Sequence, residues 1–171
     1  SVSVDGPGQR LVIYCKGCNL SCPWCANPES ISPAPQVLVY QDRIENKRYL
    51  VEACPQGAIV QTNGNITRNL EMCRQCQQYD CIKSRLPAFE LVGNGIEVET
   101  LVNLALRYRT FYGRNGGVTI GGGEPTCQVE PLSELLDRLK SERIHTAIET
   151  NGTHPDLPGL FDKTDLLYID L

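Results

Sequence analysis

The sequence predicts an α/β domain of parallel βα units, interrupted by a small cysteine-rich insertion. Three observations carry that expectation. From residue 96 onwards, short β-branched strands alternate with amphipathic helical stretches; a further apolar strand stands near the start; and the segment between them shows neither pattern but holds four cysteines. At 171 residues and 41% hydrophobic content, the chain is long enough for one domain with a real core and a small insertion.

Taken in order, RLVIYC (10–15) reads as a strand, and the loop at 16–36 is rich in Cys, Pro, Asn and Ser. Residues 37–95 lack long periodicity and carry Gly-containing turns at Gln56-Gly57 and Asn63-Gly64, as expected of a mini-domain built around a cofactor. Residues 96–112 have helical spacing, with Leu101, Leu104, Ala105 and Tyr108 sharing a face, and Glu97 and Glu99 near the start, where the helix dipole favours acids. GGVTIGGGEP (116–125) is a strand running into a glycine loop, 130–141 is a second amphipathic helix, and HTAIET (145–150) is a strand ended by Asn151-Gly152. A short helix at 156–162 and a strand at 166–171 complete the pattern. The expected organisation is therefore 1–36 and 96–171 as one α/β body with 37–95 inserted. Four such strands do not close a barrel, so the chain is expected to be a fragment of a larger fold or to be completed by a partner.

Net charge is −4 and the pI about 5.2, with no basic patch interleaved with aromatics, which argues against a nucleic-acid partner. No apolar run approaches membrane-spanning length, and the first residues lack the charged start and apolar core of a signal peptide. A cytoplasmic location is the expectation. Nine cysteines are the anomaly. An odd count without a secretion signal argues against a disulfide scaffold, and short ligand-like spacings argue for metal or cluster ligation.

The first group is Cys15-Lys-Gly-Cys18-Asn-Leu-Ser-Cys22-Pro-Trp-Cys25. Its last three cysteines form C-x3-C-x2-C. Three thiolates hold three irons of a [4Fe–4S] cube and leave the fourth iron open, whereas electron-transfer clusters use four cysteines. A three-Cys site directly after a strand, with an aromatic before the third Cys, is the signature of radical S-adenosylmethionine (SAM) enzymes, and Trp24 is placed to stack on an adenine ring. The alternative is zinc, with Cys15 as fourth ligand. Cys15 lies within the strand pattern and reads more simply as a small buried hydrophobe.

DGPGQR (5–10), GCNLSCPWCANPE (17–29), GGVTIGGGEPTCQ (116–128), ETNG (149–152) and YIDL (168–171) occur in the order found in the glycyl-radical-enzyme activating enzymes of the radical SAM class, which the chain resembles over essentially its whole length. The resemblance implies a partial (β/α) TIM-like radical SAM barrel with a ferredoxin-like insert. It implies that Gly122, Gly123 and Glu124 receive the aminoacyl end of SAM. Gly121 stands where that family usually has Ser. Glu149 matches an acidic residue facing the ligand's ammonium, often Asp in the family; Thr150 and Asn151 are weaker candidates. Asp170 matches the Asp of a D-x-K motif whose Lys falls beyond Leu171. On residue chemistry alone, three glycines let backbone approach a ligand closely, yet a glycine triplet also makes an ordinary βα turn, and Thr-Asn-Gly an ordinary turn.

In the second group, Cys54-Pro55 precedes Cys73-Arg-Gln-Cys76-Gln-Gln-Tyr-Asp-Cys81. Bacterial ferredoxins use C-x2-C-x2-C-x3-C-P runs in which the fourth Cys binds the other cluster. By that crossed rule Cys54 completes one auxiliary [4Fe–4S] site with Cys73, Cys76 and Cys81; zinc on the same four thiols is the rival. Cys127 fits neither group and is expected to be buried in a βα loop.

The implied chemistry is one-electron reduction of SAM by the three-Cys cluster, followed by glycyl-radical formation on a partner enzyme, with a reductant such as flavodoxin or ferredoxin as electron donor. A radical SAM enzyme acting on a small molecule or peptide, and a non-enzymatic zinc or iron–sulfur module, are the alternatives. His145, at a strand start, and His154, in a Pro-containing loop, read as structural or solvated.

Overall fold

The computed structural model describes residues 5–45, 47–76, 79–83 and 87–170, which fall into two compact units: 5–33 with 95–170, and 34–94.

The first unit is a four-stranded sheet with helices on one face. Its strands, β1 (Arg10–Cys15), β6 (Gly117–Gly122), β7 (His145–Thr150) and β8 (Leu166–Ile169), lie in the order β1-β6-β7-β8, every neighbour parallel. Strand alternation divides their residues between two faces. Ile13, Cys15, Val118, Ile120, Ile148 and Leu167 pack into the core beneath α4 (Val98–Arg107) and α5 (Val129–Ser141). Arg10, Tyr14, Thr119, Gly121, Glu149 and Tyr168 alternate with them on the other face.

The helices follow the sequence pattern with one correction. In α5, Leu132, Leu135, Leu136 and Leu139 are buried. In α4, Val102 and Ala105 are buried and Val98 and Leu101 pack beside them, but Tyr108 is exposed. The α-helix stops at Arg107. Tyr108 caps it outside helical geometry, and Tyr112 enters the core in its place, donating its hydroxyl to Ala105 O at 2.9 Å. Glu99, in the first turn, pairs with Arg138 of α5. The stretch expected as a helix at 156–162 forms a 3₁₀ helix, Leu157–Lys163, because Pro158 and Gly159 oppose regular α geometry.

The second unit pairs β2 (Gln36–Val39) with β5 (Phe89–Val92), and β3 (Ile59–Thr62) with β4 (Asn65–Arg68), both antiparallel. Asn63 and Gly64, at φ of 51° and 79°, make the two-residue hairpin turn that the Asn-Gly pair favours. Three short helices, α1 (Lys47–Glu52), α2 (Leu70–Gln75) and α3 (Asp80–Lys83), lie between the strands in sequence. Val37, Leu50, Ile59, Ile66, Cys81, Ala88 and Phe89 form the core. Among the described residues, no helix is long and apolar enough to cross a membrane.

Candidate functional site: a thiol loop at the strand ends

β1 delivers the chain into the 16–33 loop at the C-terminal edge of the parallel sheet, where α/β sheets place their ligands. The loop is fastened on several sides. Gly17 N–H donates to Ser30 O at 2.8 Å and Cys18 N–H to Ile31 O at 3.0 Å. Lys16 donates its ammonium to Glu29 O (2.6 Å) and Ser32 O (2.8 Å), and Gln128 donates to Lys16 O (2.8 Å). Within this frame Cys18, Cys22 and Cys25 are free, partly buried thiols, and Cys25 N–H bonds Cys22 O at 3.1 Å. Cys15 is separate from them: burial, and then nearby Glu124, push its thiol up to about 11, so it stays protonated against the core. That matches its reading as a buried hydrophobe.

The glycine loop sits against this frame for a steric reason. Gly123 N–H donates to Cys15 O (2.9 Å) and Glu124 N–H to Gly17 O (2.8 Å). A Cβ on Gly122, whose φ is +98°, would meet Cys15 N at 2.8 Å, and one on Gly123 would run into Gly17 O and Ser30 O. These two glycines are therefore demanded by β1 and the thiol loop. Gly121 is different: its φ is ordinary for a strand, and a Cβ there would lie 2.5 Å from Glu149 Oε2. Gly121 leaves room for the Glu149 carboxylate.

Glu124 is 1% exposed, and its carboxylate accepts four hydrogen bonds: Thr126 N–H (3.1 Å), Thr126 O–H (2.5 Å), Thr150 O–H (2.8 Å) and Asn151 N–H (2.7 Å). It staples the glycine loop to the end of β7. Asn151 carries the connection to the thiol loop. Its amide donates to Asn19 Oδ1 (2.9 Å) and reaches Cys18 Sγ at 3.9 Å, while Asn19 donates to Thr153 O–H at 2.8 Å.

Glu149 is half-buried. Burial, then the negative charges of Asp5 and Asp170 and a side-chain hydrogen bond with Asp5, raise its carboxyl above the usual range, against the pull of Arg10. Arg10 itself is buried, donating to Thr119 Oγ1 (2.6 Å) and Val118 O (2.7 Å), so the arginine of the DGPGQR segment knits β1 to β6. Asp170 is exposed, its N–H bonded to Thr150 O at 3.0 Å. Trp24 is 83% exposed on the thiol loop. Cys127 corrects an expectation. It is exposed, because the 3₁₀ turn Pro125–Gln128 turns it away from the core, and Asn19 N–H of the thiol loop donates to its sulfur.

In the second unit, Cys54, Cys73 and Cys76 act electrostatically on Cys81, and Cys54 and Cys76 on Cys73. Burial raises the Cys81 thiol, and Cys54, Cys73 and Cys76 raise it further; burial likewise raises Cys73, with Cys54 and Cys76 adding to the rise and Arg68 opposing it. Among the described residues, no three His, Cys, Asp or Glu side chains close to the spacing of a single metal ion.

Sequence reasoning missed Lys16 and Gln128 as fasteners, Asp5 as the neighbour of Glu149, and the staple formed by Glu124. Lys16 and Asp5 lay inside quoted motifs, but their partners are many residues away and leave no local signal.

The Radical SAM superfamily profile matches residues 12–170. The chain is 34% identical over 174 residues to the 4-hydroxyphenylacetate decarboxylase activating enzyme of Clostridioides difficile strain 630, covering 98% of this chain and 55% of that protein. It is 35% identical over 181 residues to the (2S)-3-sulfopropanediol dehydratase activating enzyme of Klebsiella oxytoca, with coverages of 98% and 55%. To the indoleacetate decarboxylase activating enzyme of Tractidigestivibacter scatoligenes it is 30% identical over 177 residues, with coverages of 97% and 56%. The chain spans about half the length of these relatives.

Proposed function

The chain belongs to the radical SAM superfamily, and from that premise we propose that it acts as an activating enzyme, generating a glycyl radical on a partner enzyme. The observation that carries this reading is the C-x3-C-x2-C loop at the C-terminal edge of a parallel sheet, with free thiols in a pre-fastened frame. Soft thiolate donors in that number suit a [4Fe–4S] cluster with one open iron. The relatives named above, each an activating enzyme of a different decarboxylase or dehydratase, support the activase over other radical SAM chemistries.

Cys18, Cys22 and Cys25 hold the cluster, and SAM lies between the glycine loop and the end of β7. When bound, the cluster supplies one electron for reductive cleavage of SAM, and the resulting radical takes a hydrogen atom from a glycine of the partner. The protein's part is orientation. Gly122 and Gly123 bring backbone against the thiol loop, and Glu124 fixes the geometry of Thr150 and Asn151 rather than offering a free carboxylate. Glu149, seated over Gly121 with Asp5, Asp170 and Arg10 nearby, faces the cationic aminoacyl end. Trp24 stacks on the adenine.

The same reading makes the four-stranded sheet the start of a TIM-like barrel and residues 37–95 a ferredoxin-like insert. There Cys54, Cys73, Cys76 and Cys81 hold one auxiliary [4Fe–4S] cluster; the mutual electrostatic influence of these thiols supports it. A flavodoxin or ferredoxin supplies electrons, in an anaerobic cytoplasm.

Anaerobic reconstitution tests the proposal. About eight irons per chain are expected, four for each cluster, with a reduced-cluster EPR signal that changes on adding SAM and a glycyl doublet on a co-expressed partner. Only four irons would remove the auxiliary cluster. Turnover of a small substrate without a glycyl doublet would overturn the activase.

A further inference from the structure

We propose that Asn151 is a positioning residue that tunes the reduction potential of the thiol-loop cluster by aiming its side-chain amide at Cys18 Sγ. The inference rests on the reading of Cys18, Cys22 and Cys25 as cluster ligands.

The orientation of Asn151 is over-determined. Its Oδ1 accepts from Thr153 N–H (3.1 Å) and Thr153 O–H (2.7 Å), which identifies the oxygen and turns the NH2 group the other way. Of the two amide hydrogens, one goes to Asn19 Oδ1 at 2.9 Å; the nitrogen also stands 3.9 Å from Cys18 Sγ, within reach of a large sulfur acceptor. The backbone of Asn151 is pinned as well, because its N–H donates to the buried Glu124 carboxylate. From within the thiol loop, Leu20 N–H approaches the same sulfur at 3.4 Å. Two N–H dipoles thus converge on one thiolate, from two different elements.

An ordinary turn explains only half of this. An Asn before Gly uses its oxygen to bond the backbone two residues on, as here with Thr153. It has no need of the amide hydrogens. Reaching Asn19 and Cys18 takes an acceptor and two donors on one planar group. Asp would keep the shape but present a carboxylate, and Ser is too short. Adding an electron makes a cluster's sulfurs more negative, so donors pointed at a ligand sulfur favour the reduced form and raise the potential. Asn151 therefore sets how readily the cluster accepts its electron, and Glu124 acts through Asn151 from the core.

The test uses the full chain with both clusters reconstituted, comparing wild type with Asn151→Ala and Asn151→Asp. Iron and sulfide content come first; wild-type protein without a SAM-responsive cluster would overturn the underlying reading and this inference with it. With clusters loaded, an EPR-monitored redox titration without SAM reads the potential of the SAM-responsive signal. Asn151→Ala is expected to lower the reduced-to-oxidised ratio at fixed potential by about tenfold, which for one electron is about 59 mV. Asn151→Asp is expected to lower it further, and the auxiliary signal should stay in place. Loaded variants with an unchanged midpoint overturn the inference while leaving the cluster reading intact. Should neither variant load, hyperfine spectroscopy of reduced wild type carrying ¹⁵N in its asparagine side-chain amides decides. A coupled asparagine nitrogen supports the inference, and its absence overturns it.

Discussion

The two units hold their cysteines in opposite ways. In the sheet unit, the thiol loop is fastened by groups that are not ligands: Lys16 to Glu29 O and Ser32 O, Gln128 to Lys16 O, and Asn151 to Asn19. The core beneath it is mostly leucine, isoleucine and valine, with Ala105 and Tyr112, and Cys15, whose thiol burial pushes up to about 11, packs against it. In the second unit, cysteines take part in the hydrophobic core itself. Cys81 is one of its buried residues and Cys54 packs against the same cluster, while α2 and α3 span six and four residues, too short to persist alone. In the first unit the fold makes the site. On the proposed reading, a cluster bound in the second would help make the fold, as in small domains whose cores are too small to stand unaided.

The largest expected effect breaks that symmetry. Cys54→Ser or Cys81→Ser should cost the insert its folded state. Hydrogen exchange of the amides in β3, β4 and β5 would rise to nearly the unfolded rate, while β6 and β7 stay protected. Cys22→Ser should do the reverse: SAM cleavage falls to background, yet protection in both units is kept. Equal loss of protection in both units from either substitution would refute the contrast.

Within the sheet unit, Glu124 is the most consequential polar group. Replacing it with Ala leaves Thr126 N–H, Asn151 N–H and two hydroxyls without their acceptor, all at a buried carboxylate. A loss of about 4 kcal/mol is expected, since each hydrogen bond to a charged group contributes roughly 1.5–3 kcal/mol and the losses overlap. Glu124→Gln should cost less, because its remaining oxygen still serves one side of the cluster of donors. Denaturant unfolding of the sheet unit measures both. Indistinguishable stabilities for Ala and wild type would mean the staple is ornamental.

How far these features could be read in advance depends on whether their cause was local. β1, β6, β7, α5 and the Asn63-Gly64 turn were legible, because periodicity and turn chemistry lie within a few consecutive residues. The cysteine spacings were legible for the same reason. Tyr108 was misplaced because helical periodicity continues through it, while the helix itself ends one residue earlier and hands its core position to Tyr112. Cys127 was misplaced because nothing in Pro-Thr-Cys-Gln reveals that Asn19, over a hundred residues away, meets its sulfur. The glycines at 122 and 123 were expected to bring backbone close to a ligand; in the structure they bring it close to β1 and the thiol loop. The Gly121–Glu149 fit is likewise a cross-strand matter, invisible to any window along the chain.

The smallest of the expected effects sharpens the comparison with pH. Cys15 has a folded value of about 11 against an ordinary 9.0, so the folded state keeps a proton that the unfolded state loses. Its contribution is fully present below pH 9, and stability falls as pH rises from there through about 11, by about 3 kcal/mol when complete. Tyr112, pushed up to about 12 from 10.0 chiefly by burial, continues the same fall at higher pH. On the proposed reading, thiolates bound to a cluster would have no proton to lose in this range, which leaves the alkaline sensitivity to the sheet unit. Cys15→Val should remove the decline between pH 9 and 10, reduce it between 10 and 11 where Tyr112 also titrates, and leave the part above 11 unchanged, as read by thermal melts of loaded protein. A decline that Cys15→Val does not alter, but that vanishes when the insert's cysteines are replaced, would assign the titration to the wrong unit and return the contrast to the starting point.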